Sequence, residues 1–316
     1  MKIHRSNTIK PPRLKEGGTI GIVAPAWSFD PVSFKKGTEK LIKMGYKVKY
    51  DRSIFNKYWS MAGYDKKRAE QINEMFADKE VNAIFCAAAG YGSVRTLPHL
   101  NSKIIRKNPK IFVGYSDITV LLTYLYMTTR LLVFHGPVVA DEIRDGMSYI
   151  TLDFMLSAIT QTRPLGELKF HGLKTLRHAE PATGVLVGGN MSLIVNTIGT
   201  PYEISTENKI LFLEDIGEDL EVIDSYIMQL KLSGKLKKVK GIVFGRMIGC
   251  SDHSGNKYSI RDILNDILQD VNVPIIYGFP SGHSSLEEIN ITLPFGASVT
   301  LVTKDPKLVI NEAGVC

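Results

Sequence analysis

The chain has 316 residues, 44% of them hydrophobic and 22% charged, with a formal net charge of +7. That length is enough for two domains, because a single core rarely grows past roughly 250–300 residues, and the composition excludes a disordered chain. The densest basic patches, Lys2 to Lys15 and Lys231 to Lys240, lack the interleaved aromatics of a single-strand nucleic-acid groove, so a solvated basic face and no nucleic-acid partner are expected.

Three cysteines, Cys86, Cys250 and Cys316, stand far apart with no C-x-x-C pair, which points to a reducing, cytoplasmic compartment. Residues 1–18 are polar and carry no apolar signal core. No apolar run reaches the roughly 18 residues of a membrane span, so none is expected.

Gly18 to Ala24 reads as a short buried strand stopped by Pro25. Helical spacing runs over 33–44, with Gly45 as its stop, and Tyr46 to Tyr50 alternates as a strand. Asp65 to Ala77 is a polar amphipathic helix with Ala69, Ile72, Met75 and Phe76 on its inner face. Val81-Asn-Ala-Ile-Phe-Cys-Ala87 is a buried strand, followed by Ala88-Ala-Gly-Tyr-Gly-Ser93 and a helix from near Val94. Ile111 to Val113 is again a strand. The chain turns at Gly114 and resumes as a helix with Ile118, Leu121, Leu122 and Leu125 on one face. Leu131 to Phe134 and His135-Gly-Pro137 follow. Strands alternating with helices at this spacing predict an α/β domain over 1–160 with a doubly wound parallel sheet, its site at the carboxyl ends of the strands.

The character then changes. Residues 161–180, polar and irregular, read as a linker to a mixed α+β domain over 181–316. There the pattern predicts strands over 183–190, 209–215, 241–247 and 273–279 and helices over 191–198, 219–233 and 260–268. A closing hairpin of 288–293 and 298–302 is joined through Pro294-Phe-Gly296.

Four features sit just past predicted strand ends. Ser116 falls at the joint of strand and helix, as in a nucleophile elbow, although G-Y-S-D lacks the second glycine of G-x-S-x-G; taken alone, the joint favours a helix N-cap. Ala89-Gly90-Tyr91-Gly92 suits an anion or oxyanion pocket, or a plain tight turn; the third glycine of a dinucleotide fingerprint is replaced by Arg95. Glu214-Asp215 could bind a metal, orient a histidine or cap a turn, with capping the usual role for Asp215. His283, in Pro280-Ser-Gly-His283, and His135 are the histidines best placed at strand ends, whereas His253 reads as solvent-exposed. No H-x-x-x-H or Cys/His cluster is present, so neither metal nor other cofactor is expected. A Ser–His–carboxylate hydrolase needs one of each residue, and Ser116, Glu214 and His283 supply them.

These residues carry a resemblance. Gly18-Thr-Ile-Gly-Ile-Val-Ala-Pro25, the stretch from Phe76 to Cys86, Gly90-Tyr-Gly92, Val113-Gly-Tyr-Ser-Asp117 and Phe134-His-Gly-Pro137 resemble segments of the LD-carboxypeptidase family. So do Gly188-Gly-Asn190, Leu211-Phe-Leu-Glu-Asp215, Gly282-His283 and Ile291 to Gly296. That group of serine peptidases also includes the microcin C immunity proteins. The resemblance implies a Ser116–Glu214–His283 triad and a Rossmann-like N-terminal domain carrying the nucleophile. A C-terminal domain would supply acid and base, with the site in the cleft between the two. It further implies release of the terminal D-alanine from cytoplasmic murein tetrapeptides, an oxyanion hole from the Gly90 turn and the Asp117 N–H, and a homodimer. Tyr91 and Asn190 are candidates to line the substrate pocket. The family usually has Arg-Gly-Gly-Tyr-Gly where this chain has Ala88-Ala-Gly-Tyr-Gly92, which bears on the substrate more than on the reaction. An immunity-type hydrolase of an aminoacyl-nucleotide toxin would want an aromatic clamp, for which Trp27 and Trp59 are the only tryptophans. A non-catalytic binding protein on the same scaffold would not need the three-residue set.

Overall fold

A computed structural model describes residues 8–251, 258–284 and 288–316 of the chain. Its strands form two sheets. The first is built from β1 (Thr19–Val23), β2 (Lys47–Lys49), β3 (Val81–Cys86), β4 (Ile111–Gly114) and β5 (Val133–His135), interleaved with α1 (Pro31–Lys43), α2 (Asp65–Ala77), α3 (Ser102–Lys107) and α4 (Thr119–Tyr124). These five strands are all parallel, in the order β5-β4-β3-β1-β2. From Ala83 onward successive residues of β3 point to opposite faces, after an irregularity at its start that turns Val81 to the side of Ile84. Val81, Ile84 and Cys86 join Ile72 and Phe76 of α2 and Leu121 of α4, while Ala83 and Phe85 join Phe34 and Leu41 of α1. A strand covered on both faces has no polar side to show, which is why these segments read as continuous apolar runs.

After α5 (Tyr149–Thr160) come β6 (Gly166–Leu168), β7 (Lys174–Arg177), β8 (Ala182–Asn190), α6 (Met191–Val195), β9 (Lys209–Ile216), α7 (Leu220–Leu232), β10 (Gly241–Ile248), α8 (Ile260–Ile267), β11 (Ile275–Tyr277), β12 (Leu293–Phe295), β13 (Ser298–Val302) and β14 (Lys307–Ile310). The second sheet has the order β6-β14-β13-β8-β9-β10-β11-β7, with β8 to β11 parallel and the outer strands antiparallel. Its Leu211, Leu213 and Phe244 pack under α7 and α8. Its Ile210, Phe212 and Val243 share one apolar cluster with Ile84 and Phe112 of the first sheet, so the two sheets meet through a continuous core.

Two expectations are corrected. Residues 161–180, read as an irregular linker, contribute β6 and β7, the two edge strands of the second sheet. The closing hairpin does not form. Leu293–Phe295 instead runs antiparallel to β5 as the edge of the first sheet, and β13 pairs with β14. Pro294 is tolerated there because an edge strand can leave one N–H position unused. His253 lies outside the described residues. Among the described residues no helix is long and apolar enough to cross a membrane.

Candidate active site

The carboxyl ends of the parallel strands of the first sheet open onto a cavity of about 320 Å³. Ser116 and His283 line it together with Gly90. Ser116 follows β4 and Tyr115, and its backbone takes φ +59°, the left-handed region that a non-glycine residue enters at a cost of about 1–2 kcal/mol. That turn starts the helical segment Ser116–Ile118. The cap residue there is Tyr115, which makes no side-chain cap bond. The Ser116 hydroxyl is therefore not spent on the helix end; Oγ lies 3.1 Å from Nε2 of His283.

Glu214 lies inside β9, opposite Asn190 of β8, and is fully buried. Its Oε2 is 2.7 Å from Nδ1 of His283 and also accepts the His283 backbone N–H at 3.2 Å. Two bonds to one oxygen fix both the ring and the loop that carries it. Gly282 takes φ +109°, and a Cβ there would come within 2.6 Å of Glu214 Oε2, so only glycine lets this loop wrap the carboxylate. The loop is tied further by Gly282 N–H to Asn290 Oδ1 and by Ser281 Oγ to the Ile291 carbonyl.

Burial pushes the Glu214 carboxyl up, but the hydrogen bond and charge of His283 outweigh it and hold the group below the usual glutamate value. Burial likewise disfavours the His283 imidazolium, and Glu214 more than compensates, so that histidine is held above its ordinary value. Both directions describe one ion-pairing interaction. With Glu214 ionised, the His283 proton belongs on Nδ1 and Nε2 is free to accept from Ser116, an arrangement able to activate a hydroxyl as a nucleophile.

Gly90 sits across from Ser116 with φ +105°, its Cα against the ring of Trp27, where any side chain would overlap the indole. The loop carrying it is locked to the Ser116 turn: Ser93 N–H donates to Asp117 Oδ2 at 2.8 Å, and Ser93 Oγ to the Asp117 carbonyl. The Asp117 side chain is thus a buried brace, while its main chain continues the Ser116 turn. The loop also leans on Arg68, a fully buried guanidinium that donates to the carbonyls of Gly63, Pro25 and Gly92 and to Asp65.

The other candidates separate. Asn190 does not line the cavity. It is 2% exposed, its Oδ1 caps α6 through the Leu193 N–H, and its Nδ2 donates to Asp215. Asp215 accepts from Asn190, Ser192 and Ile216, so it is a cap; burial pushes its pKa up to about 6. Tyr91 is exposed and lies outside the cavity lining. His135 is buried among Tyr115, Phe212 and Phe295, and burial pushes it down to about 4. Neither of its ring nitrogens, nor Glu214 Oε1, has a hydrogen-bond partner among the described residues. Among those residues no three of His, Cys, Asp and Glu converge as metal ligands.

Trp27, one of the two tryptophans considered for an aromatic clamp, stands in the cavity wall, and four cavity residues escaped the sequence reading: Asp30, Ser33, Asp141 and Arg144. Asp30 and Ser33 carry a local signal, but it is that of an N-cap, and the Asp30 side chain does cap α1 through the Ser33 N–H. Trp59 stacks on Tyr58 outside the cavity.

Comparison with known proteins places the chain in a family. The pattern of an LD-carboxypeptidase N-terminal domain matches residues 20–136, and that of an LD-carboxypeptidase C-terminal domain matches residues 183–301. A probable murein peptide carboxypeptidase of Bacillus subtilis (strain 168) is 38% identical, over 97% of this chain and 95% of the relative. The microcin C7 self-immunity protein MccF of Escherichia coli is 26% identical, over 95% of this chain and 94% of its own. The crystal structure of a muramoyltetrapeptide carboxypeptidase from Oxalobacter formigenes superposes with a TM-score of 0.83 at 28% identity, covering 93% of this chain and 99% of that one.

Proposed function

The chain belongs to the LD-carboxypeptidase family and is a serine carboxypeptidase, and on that premise we propose that it releases the terminal D-alanine from murein tetrapeptides, as a cytoplasmic step of peptidoglycan recycling. The observation that carries the reading is the continuous chain of contacts from Ser116 Oγ through the His283 ring to buried Glu214. In this reading the nucleophile comes from a unit over 1–160, and the acid and base from the unit that follows.

Ser116 Oγ attacks the carbonyl that links the L-centre of the diamino acid to D-alanine, and its proton passes to His283 Nε2. Glu214 keeps the ring in place and offsets the charge it gains. The N–H groups of Asp117 and of the Gly90 turn face the tetrahedral oxyanion, each such donor contributing about 3–4 kcal/mol in comparable sites. Collapse breaks the C–N bond as His283 returns the proton to the leaving amine. Water, deprotonated by the same histidine, then attacks the Ser116 ester and frees the shortened peptide. The cavity wall carries both signs, Asp30 and Asp141 against Arg144, which suits a peptide bearing an ammonium and carboxylates.

A second reading, hydrolysis of an aminoacyl-nucleotide of the microcin C type, is favoured by one observation: Trp27 stands in the cavity wall, where an aromatic face could meet a base. Incubating the protein with murein tetrapeptide and, separately, with a processed microcin analogue, then weighing the products, decides between them. Loss of one alanine from the tetrapeptide is the expected result. Cleavage of the nucleotide alone replaces the first reading with the second.

A further inference from the structure

Apart from the His283 imidazole, Arg144 is the one cationic side chain among the described residues that line the cavity. It stands just past the helical turn Val139–Ile143, facing the first turn of α1, where its Nη1 donates to Ser33 Oγ at 3.2 Å. Nε (2.6 Å) and Nη2 are held by the carboxylate of Asp145, which fixes the plane of the guanidinium. These contacts use three of the five N–H donors that an arginine offers. Two remain on a half-buried, oriented group. Ala88, Ala89 and Gly90 bring no charge to the cavity, while Asp30 and Asp141 are negative.

An enzyme that releases a C-terminal residue must take a free carboxylate out of water, and an anion leaves water only for a donor or a cation. Asp30 and Asp141 would repel it. The planar fork of an arginine matches a carboxylate, and Arg144 has donors to spare. We propose that Arg144, steadied by Asp145 and Ser33, is the anchor for the carboxylate of the departing residue, and so the residue that makes this site a carboxypeptidase rather than an endopeptidase. The assignment rests on the proposed release of a C-terminal residue. If Arg144 served only its pairing with Asp145, it would be a partly exposed ion pair of small consequence, and its loss would leave substrate preference untouched.

The test compares murein tetrapeptide with its C-terminal carboxamide, measuring kcat/KM for amine release by wild type, R144Q and R144K, with thermal midpoints recorded for each. Wild type is expected to prefer the acid, and R144Q to lose roughly 10- to 100-fold of that preference, as expected when one charged donor is removed from a part-exposed site. R144K, a charge without the fork, retains an intermediate preference. Wild-type turnover with equal rates on acid and amide, or an R144Q preference equal to that of wild type, overturns the anchor alone. Release from neither peptide by wild type overturns the substrate reading and the anchor with it.

Discussion

Gly282 and Glu214 touch through the space where a side chain would be: a Cβ on Gly282 would lie 2.6 Å from Oε2 and 2.9 Å from Cβ of the glutamate. The loop of His283 and the carboxylate of Glu214 are therefore held together by a missing methyl as well as by a hydrogen bond. G282A adds that methyl and also strains a residue at φ +109°. It is expected to lower kcat/KM by about 100-fold, the scale of a misplacement near 1 Å, and the melting temperature by several degrees. Steady-state kinetics and a thermal scan read both, and a variant within threefold of wild type would show that the loop does not set the triad.

Ser116 combines chemistry with strain. S116A is expected to release no D-alanine while folding normally, since alanine bears the same left-handed φ. S116G removes the strain. It should be at least as stable as S116A, against the roughly 1 kcal/mol penalty that glycine carries relative to alanine inside regular elements. Urea unfolding of the two inactive variants measures the difference, and D-alanine release by S116A above background would remove Ser116 from the mechanism.

The electrostatics of the pair fix a pH dependence. In the proposed mechanism His283 accepts a proton only when neutral, and Glu214 holds its pKa above the ordinary 6.5, so wild-type kcat/KM is expected to fall as pH drops through a value above 6.5. E214Q removes the charge and leaves burial dominant. The acidic limb then moves to lower pH, and kcat falls by roughly 10³- to 10⁴-fold. A pH–rate profile with an unmoved limb would contradict the assignment of Glu214.

His135 makes the opposite contribution to stability. Unfolded, it takes a proton near pH 6.5; folded, burial delays this to about 4. Between those values the unfolded chain binds more protons, so this share of stability is intact above pH 6.5 and is lost as pH falls towards 4. At pH 5 the loss is about 2 kcal/mol. H135F, whose ring suits the aromatic surroundings, should lack that acid sensitivity; parallel denaturant melts at pH 7 and pH 5 would show it as a smaller drop than in wild type.

The parts of this molecule that a sequence reveals are those governed by neighbours in the chain. The change from strand to helix around Gly114 and Ser116 is a change of period, and it marked the turn that carries the hydroxyl. Glu214 and His283 stood out as polar residues closing apolar runs. What escaped depends on distant partners. The three residues Leu293–Phe295 carry no mark of which sheet they join, and their pairing with β5 is decided by an edge left open some 160 residues earlier. Arg144 has no local signature, and nothing local decides between Trp27 and Trp59, because only the packing of the Val139–Ile143 turn and the Pro25–Trp27 segment around one cavity brings Arg144 and Trp27 to it. Asn190 shows the converse: its cap on α6 is a purely local device, yet the two glycines before it in β8 give the position the look of a site.

The crossing of β12 into the first sheet has a consequence for the order in which this enzyme comes into being. His283 is strung between β11, which belongs to one sheet, and β12, which closes the other. A chain emerging from the ribosome already holds Ser116 and Glu214, yet it can neither finish its first sheet nor seat His283 against Glu214 until residues 283–295 have been made. In the proposed mechanism hydrolytic power therefore arrives late in synthesis, and a nascent chain stays silent until those residues are in place.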